Sequence, residues 1–418
     1  MTFLSQPQPW MSEARRLRNR AFFLEIAAAI AAEIEQRSAC VRGRACPSWL
    51  LRFVHWLHFQ KAVVVTLNYD TLLESAISEI SGGDCHPKQL VPFRFAAIES
   101  VAGGDRQANS LELLKLHGST NWRYSGRDSY SGELIQWSGI GGWRKQWDGL
   151  AGAEKVGDSF PLIIPPVTEK SGYFAHHSVQ YLWKRAGDAL AAAKRIFCVG
   201  YSLPTTDLTI RFLLSDLAIT HPVDFYLVNL PSALDHFNDD QILPKNRFRL
   251  NDRFVGADPI PPFVNALFTD EFFPDLPESA SPPGPVQTAL RAHLAVGQRF
   301  QAAPGAGSFS IAKFTGNSIT LLLDDAKVLV EHPVDIPVRL PWEALESVMA
   351  ELQKRYHQRL DVDRCDEVVR SSYGRSLGPW IAGLFEAAGV GTVWRDQGTW
   401  VVSPKGTNEK EINLSKHL

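Results

Sequence analysis

The chain is 418 residues long, 45% hydrophobic and 21% charged, with a formal net charge of -2. That length predicts two domains, and the composition is that of a globular protein rather than a disordered or fibrous one. A near-neutral balance removes any general electrostatic case for nucleic acid, and five scattered cysteines (Cys40, Cys46, Cys85, Cys198, Cys365) without a C-x-x-C pair argue against a disulfide framework or a four-cysteine zinc site.

The opening MTFLSQPQPW lacks the charged-then-apolar form of a signal peptide. No run reaches the roughly 18 apolar residues of a membrane span. FFLEIAAAIAAEI (22–34) comes closest, and Glu25 and Glu33 make it an amphipathic helix. A cytoplasmic protein without membrane association is expected.

From 60 to 230 the chain alternates. Short β-rich runs stand at 62–67 (AVVVTL), 112–117 (ELLKLH), 161–165 (PLIIP), 195–200 (RIFCVG) and 223–230 (VDFYLVNL). Between them, 70–80, 174–195 and 205–219 space apolar residues at three and four, and the last opens on Thr and Asp, good helix N-caps. Apolar strands alternating with helices predict an α/β fold, a parallel sheet with helices on both faces. Ligands of such sheets bind outside the carboxyl ends of the strands. Polar groups collect at those ends: Asn68 and Asp70, His117 and Ser119, Gly200 to Ser202, and Asn229.

Each group also has a plainer reading. Asn68-x-Asp70 suits a turn and helix cap, His117 a satisfied strand-end histidine, and Asp207 the first turn of a helix. His176 and His177 face different sides of their helix, so no metal site is expected there.

In this order, T-x-N-x-D (Thr66, Asn68, Asp70), K-L-H-G-S (Lys115 to Ser119), a strand ending G-Y-S and a strand ending V-x-N resemble the sirtuin superfamily. They are most similar to the sirtuin-like NAD-hydrolysing domains of bacterial antiviral systems, as are PLIIPPVTEK (161–170) and GYSLPTTD (200–207). The similarity covers roughly residues 15–265 and implies a Rossmann-like domain over 1–270 that takes NAD+ as substrate, without a metal. It implies Asn68, Asp70 and His117 as catalytic residues: Asn68 positions ribose or water, Asp70 lines the nicotinamide pocket and His117 is the general base. Thr66, Gly118, Ser119, Gly200, Tyr201, Ser202 and Asn229 would bind the cofactor. The implied activity is hydrolysis of NAD+ to nicotinamide and ADP-ribose by an antiphage, abortive-infection effector. A non-catalytic nucleotide-binding or assembly subunit, and an ADP-ribosyl or acyl transferase, are the alternatives.

Two features depart from the family. The zinc module of sirtuin deacetylases is missing, which speaks for NAD+ hydrolysis over deacylation. A Trp/Gly-rich insert at about 122–160 stands instead, as a lid or, preferred here, a packing element. Secondly, a dinucleotide fold of this kind begins with a strand and a Gly-rich loop feeding a helix N-terminus. No glycine precedes Gly43, and the chain is expected to begin inside or just before the following helix, through a late-assigned start or as a variant without the phosphate loop. GAGS at 305–308 lacks the strand-to-helix context and reads as a linker turn.

DLPESASPPGPV (275–286) marks a linker, which with the short helix QTALRAHLAV occupies 271–304. Residues 305–418 are expected to form a smaller α+β accessory domain. SFSIAKF, SITLLLD and AKVLVEH read as strands, PWEALESVMAELQKRYHQRL as a helix, and TVWRDQGTWVVS as a hairpin. Helix, turn, helix and hairpin is the order of a winged helix, in which Arg370, Tyr373 and Arg375 would contact phosphates. It is equally the order of a small domain that docks on a partner. Without a basic surplus, protein docking or self-association is preferred over nucleic acid.

Overall fold

A computed structural model describes residues 9–60, 62–80, 111–125, 134–137, 159–164, 177–205, 207–239, 241–269, 271–272, 283–302, 308–324, 335–354, 360–361, 378–389, 391–396 and 399–404. The chain opens with α1 (Glu13–Arg42), capped by the Ser12 hydroxyl, which accepts from the Arg15 backbone N–H, and continues in α2 (Ser48–Phe59). Two parallel sheets follow. In one, β1 (Val63–Thr66) pairs with β2 (Glu112–Lys115) across α3 (Leu72–Ile80). In the other, β6 (Arg195–Val199), β7 (Val223–Asn229) and β8 (Phe248–Val255) lie side by side.

Side chains of a strand alternate between faces, and here the alternation sorts both sheets between the same two cores. Val64, Leu113, Phe197, Val199, Tyr226 and Val228 join one core with α2, α3 and α7 (Ile260–Ala266). Val65, Leu114, Ile196, Cys198, Phe225 and Leu227 join the other with α4 (His177–Ala192), α5 (Leu208–Asp216) and α6 (Leu234–Phe237). The protein is therefore a mixed α/β structure with parallel sheets covered by helices. Arg185 of α4 clamps the β2 carboxylate of Glu112 with two hydrogen bonds, at 2.9 and 2.5 Å.

PLIIP does not continue the parallel series that its apolar run suggested. After β2 the chain turns at His117–Gly118 into β3 (Gly118–Ser125), which pairs antiparallel with β4 (Leu134–Trp137) and β5 (Ser159–Ile163). Gly118 makes that turn with φ +83°, and a Cβ there would lie 1.9 Å from the Leu162 carbonyl oxygen. Only a residue without a side chain tolerates both constraints. Gly118→Ala is expected to cost about 2–3 kcal/mol, read as a lowered urea midpoint at unchanged m-value. Trp122, at the head of the Trp/Gly-rich insert, is buried in the second core. Residues 126–133 and 138–158 of it lie outside the described residues.

Two of the strands that escaped the sequence pattern did so for the same reason. β8 (FRLNDRFV) exposes Arg249, Asp252 and Arg253, and β12 (Asp335–Pro341) contains two prolines. Among the described residues both pair on one side only, and edge positions accept charges and proline. β12 closes the antiparallel order β12-β11-β10-β9, with β9 Arg299–Gln301, β10 Ser308–Phe314 and β11 Ser318–Asp324. With α8 (Pro285–His293), α9 (Trp342–Lys354) and α10 (Gly378–Ala387), this sheet encloses a third core drawn wholly from residues 286–388. The hairpin forms as β14 (Gly391–Asp396) and β15 (Thr399–Pro404), joined by β13 (Leu360–Asp361). AKVLVEH, most of GAGS, and Arg370, Tyr373 and Arg375 lie outside the described residues.

Candidate functional site

The polar residues at the strand ends are placed by backbone hydrogen bonds. After β1, the Thr66 hydroxyl accepts from the Asn68 N–H at 3.1 Å, and one Asp70 carboxylate oxygen accepts from the Leu72 N–H at 3.1 Å, capping α3. Asn68 is left exposed. Tyr69, between them, is anchored at both ends. Its hydroxyl donates to the Ile164 carbonyl at 2.5 Å, and its own carbonyl accepts from the Thr120 N–H at 2.9 Å and the Ser119 hydroxyl at 3.3 Å.

The tip of β2 is buried. Lys115, 1% exposed, pairs with Glu74 of α3 at 2.9 Å and also donates to the Asp70 carbonyl. His117 lies between two rings, stacked on Tyr69 at 6.2 Å and tilted against Trp183 of α4 at 6.3 Å. The single proton of the Ser119 hydroxyl is shared with the Asn121 amide oxygen, the nearer acceptor at 2.7 Å.

On the other sheet, β6 ends at Gly200, whose φ of +72° opens onto free space where a side chain would stand. Tyr201 donates its hydroxyl to Asp207 at 2.9 Å, and its carbonyl accepts from the Asn229 amide at 2.8 Å. The Asn229 amide oxygen accepts from the Leu230 N–H at 2.8 Å, so this side chain braces β7 against β6 with both ends. Ser202 is exposed, with its carbonyl accepting from the His236 ring at 2.8 Å.

Asp207 links the two halves electrostatically. Burial, and then the Asp207 charge, push the Tyr69 hydroxyl up to about 12. The same causes, in the same order, hold the Tyr201 hydroxyl far above its ordinary range. Both phenols are therefore neutral donors at physiological pH. For Tyr69 the folded pKa lies above the unfolded value of about 10, so its contribution to stability is complete below pH 10 and is lost as pH rises towards 12. Tyr69→Phe is expected to flatten the fall in urea midpoint across that window. At pH 8 it loses about 1 kcal/mol, the worth of the bond to Ile164.

Residues that sequence reasoning passed over complete the surroundings. Arg42 of α1 is buried, pairs with Glu35 and donates to the Thr71 hydroxyl at 3.3 Å, while Thr120 donates to Glu35 at 3.3 Å. The only sequence sign of this pair is a spacing of seven along one helix face. Asp207 stands at the N-cap of α5 without a side-chain cap bond and serves Tyr201 instead.

Thus Thr66, Asn68, Asp70, His117, Gly118 and Ser119 share one cluster, stitched through Tyr69. Tyr201 and Asn229 form a second through the Tyr201 carbonyl, and the Gly200 N–H beside them donates to the Val228 carbonyl at 2.9 Å. Cys198 belongs to the second: its half-buried thiol donates to the Tyr201 carbonyl at 3.6 Å, and desolvation pushes it up to about 12. Among the described residues no helix is long and apolar enough to cross a membrane. No family model, curated protein or solved structure matches the chain.

Proposed function

We propose that this chain is a sirtuin-like NAD+ hydrolase with a Rossmann-like domain, splitting NAD+ and water into nicotinamide, ADP-ribose and a proton. The observation that supports this most is the convergence of the Asn68–Asp70 and His117–Ser119 tips on Tyr69. Breaking the nicotinamide–ribose bond passes through an oxocarbenium-like state that needs a positioned nucleophile and a base. His117, gripped by two rings, is the base that takes the proton of the attacking water. Asn68 orients that water or the ribose, and the free carboxylate oxygen of Asp70 faces the developing positive charge. Gly200 lets the cofactor approach the β6 backbone, and Thr66, Gly118, Ser119, Tyr201, Ser202 and Asn229 line the remainder. Depletion of NAD+ in the cytoplasm is the effect through which such an enzyme would act against phage, with the C-terminal unit docking on a protein partner or a second copy.

A second reading, a nucleotide-binding or assembly subunit without turnover, is favoured by Asn229, whose amide is committed at both ends within the protein. Chromatographic analysis of NAD+ incubated with the purified chain separates the two. Nicotinamide and ADP-ribose in equal amounts support the hydrolase, and saturable binding of NAD+ with no product supports the subunit.

A further inference from the structure

Helix α1 is longer than the face it packs with. Its buried residues, Phe23, Ala27, Ala31, Ser38 and Arg42, begin only at Phe23, and the helix lies against β3 and β5. None of residues 13–22 is buried, so about 15 Å of helix runs beyond that packing. A second stripe lies beside the buried one. Ala14, Leu17, Ala21, Leu24 and Ala28 recur at alternate spacings of three and four, which holds them on one side of the helix in the repeat of a two-stranded coil. Leu17 is 63% exposed, the three alanines are exposed and Leu24 is half-buried. Trp10, one step further back in the same repeat, is 76% exposed.

Size and charge together decide what fits this stripe. Leucine and alanine alternate along it, so its complement is small where the stripe is large. The stripe read backwards is that complement. With a second α1 running antiparallel, Leu24 of one copy stands against Ala21 of the other and Leu17 against Ala28, in four layers about a two-fold axis. Two parallel copies would set alanine on alanine and leave a gap at every other layer. Arg18 and Glu25 follow Leu17 and Leu24 along the edge of the stripe. In the antiparallel register Arg18 of each copy faces Glu25 of the other, in the place where helix pairs carry their ion pairs. Both side chains are exposed, and among the described residues neither takes part in an ion pair.

We propose that α1 pairs antiparallel with α1 of a second copy of this chain, through Leu17, Ala21, Leu24 and Ala28, with two Arg18–Glu25 ion pairs across the axis. The alanines let the two helices approach to about 8 Å, the short end of the range for packed helices. The same helix carries Glu35, which accepts from Thr120, and Arg42, which donates to Thr71. Pairing is therefore made by an element that also braces the candidate site.

Sedimentation velocity of the full chain tests this. At about 50 µM the chain is expected to run as a dimer, at twice 46.5 kDa, and Leu17→Asp as a monomer, its dissociation constant raised at least about tenfold. Leu17 is exposed, so this variant keeps its fold, which an unchanged melting curve verifies. Arg18→Glu and Glu25→Arg each weaken the dimer about threefold or more, and the variant carrying both restores it, because the exchanged charges still face each other. In a parallel pair Arg18 would face Glu13 and Glu25 would face Arg20, and the double exchange would make both contacts repulsive. A wild-type chain that stays monomeric, or a dimer that Leu17→Asp leaves intact, would overturn the proposal. A double variant no tighter than the single ones would overturn the antiparallel register.

Discussion

Under the proposed NAD+ hydrolysis, release of nicotinamide is expected to fall about 10²–10⁴-fold in His117→Ala, with little change in KM, because a general base acts on the transition state rather than on binding. His117 is 6% exposed and gripped by Tyr69 and Trp183, so its ring is oriented before substrate arrives. Asn68→Ala is expected to lose turnover to a similar extent with an unchanged melting curve, since the Asn68 side chain is exposed and it is its backbone N–H that bonds Thr66. The two variants therefore differ in stability and agree in activity. If Asn68→Ala retained full turnover, a catalytic role for Asn68 would be excluded. If both variants were fully active, His117 would be a packing residue and the chemistry would lie elsewhere.

Lys115→Met lowers folding stability by about 3–5 kcal/mol, the cost of stranding a buried carboxylate whose partner is removed. Glu74 is 3% exposed at its side chain and has Lys115 2.9 Å away, and the same ammonium also holds the Asp70 carbonyl. Against a typical total of about 5–15 kcal/mol this is a large fraction. Replacing both partners by apolar residues of similar size is expected to recover most of the loss, because the buried charge goes with its mate. Urea unfolding of Lys115→Met, Glu74→Leu and the double variant measures the coupling directly. A loss under 1 kcal/mol in Lys115→Met would mean that water reaches the pair. The lysine of K-L-H-G-S thus reads as a strut that sets the β1 tip relative to β2, whatever ligand the site takes.

The parts of this architecture that were legible in the sequence are those carried by local pattern. VVVTL and RIFCVG are apolar at consecutive positions because their strands face a core on each side, and 70–80 and 205–219 carry the helical period. The polar tips were legible because such residues break an apolar run abruptly. What stayed hidden is what depends on partners far away in the chain. Lys115 and Glu74 are 41 residues apart, and nothing in either neighbourhood announces the other. Tyr69 looked like a spacer between two motif residues, yet its anchors, Thr120 and Ile164, come from β3 and the end of β5. The antiparallel placement of PLIIP depended on the turn at Gly118, which a strand-by-strand reading could not foresee.

Because Tyr69 is fixed at its hydroxyl and at its carbonyl, the spacing between Asn68 and the ring of His117 is set by main chain rather than by rotamers. For an engineer this ranks the kinds of change. Recoding Asn68 or Ser202 alters chemistry on a standing scaffold. Adding or deleting one residue between Thr66 and Thr71 shifts Tyr69 off its anchors, releases His117 from its stack and uncaps α3 together. The count of residues in that tip is the quantity to leave alone in any redesign, together with Tyr69 and Asp70, while the exposed Asn68 can be recoded without disturbing the scaffold.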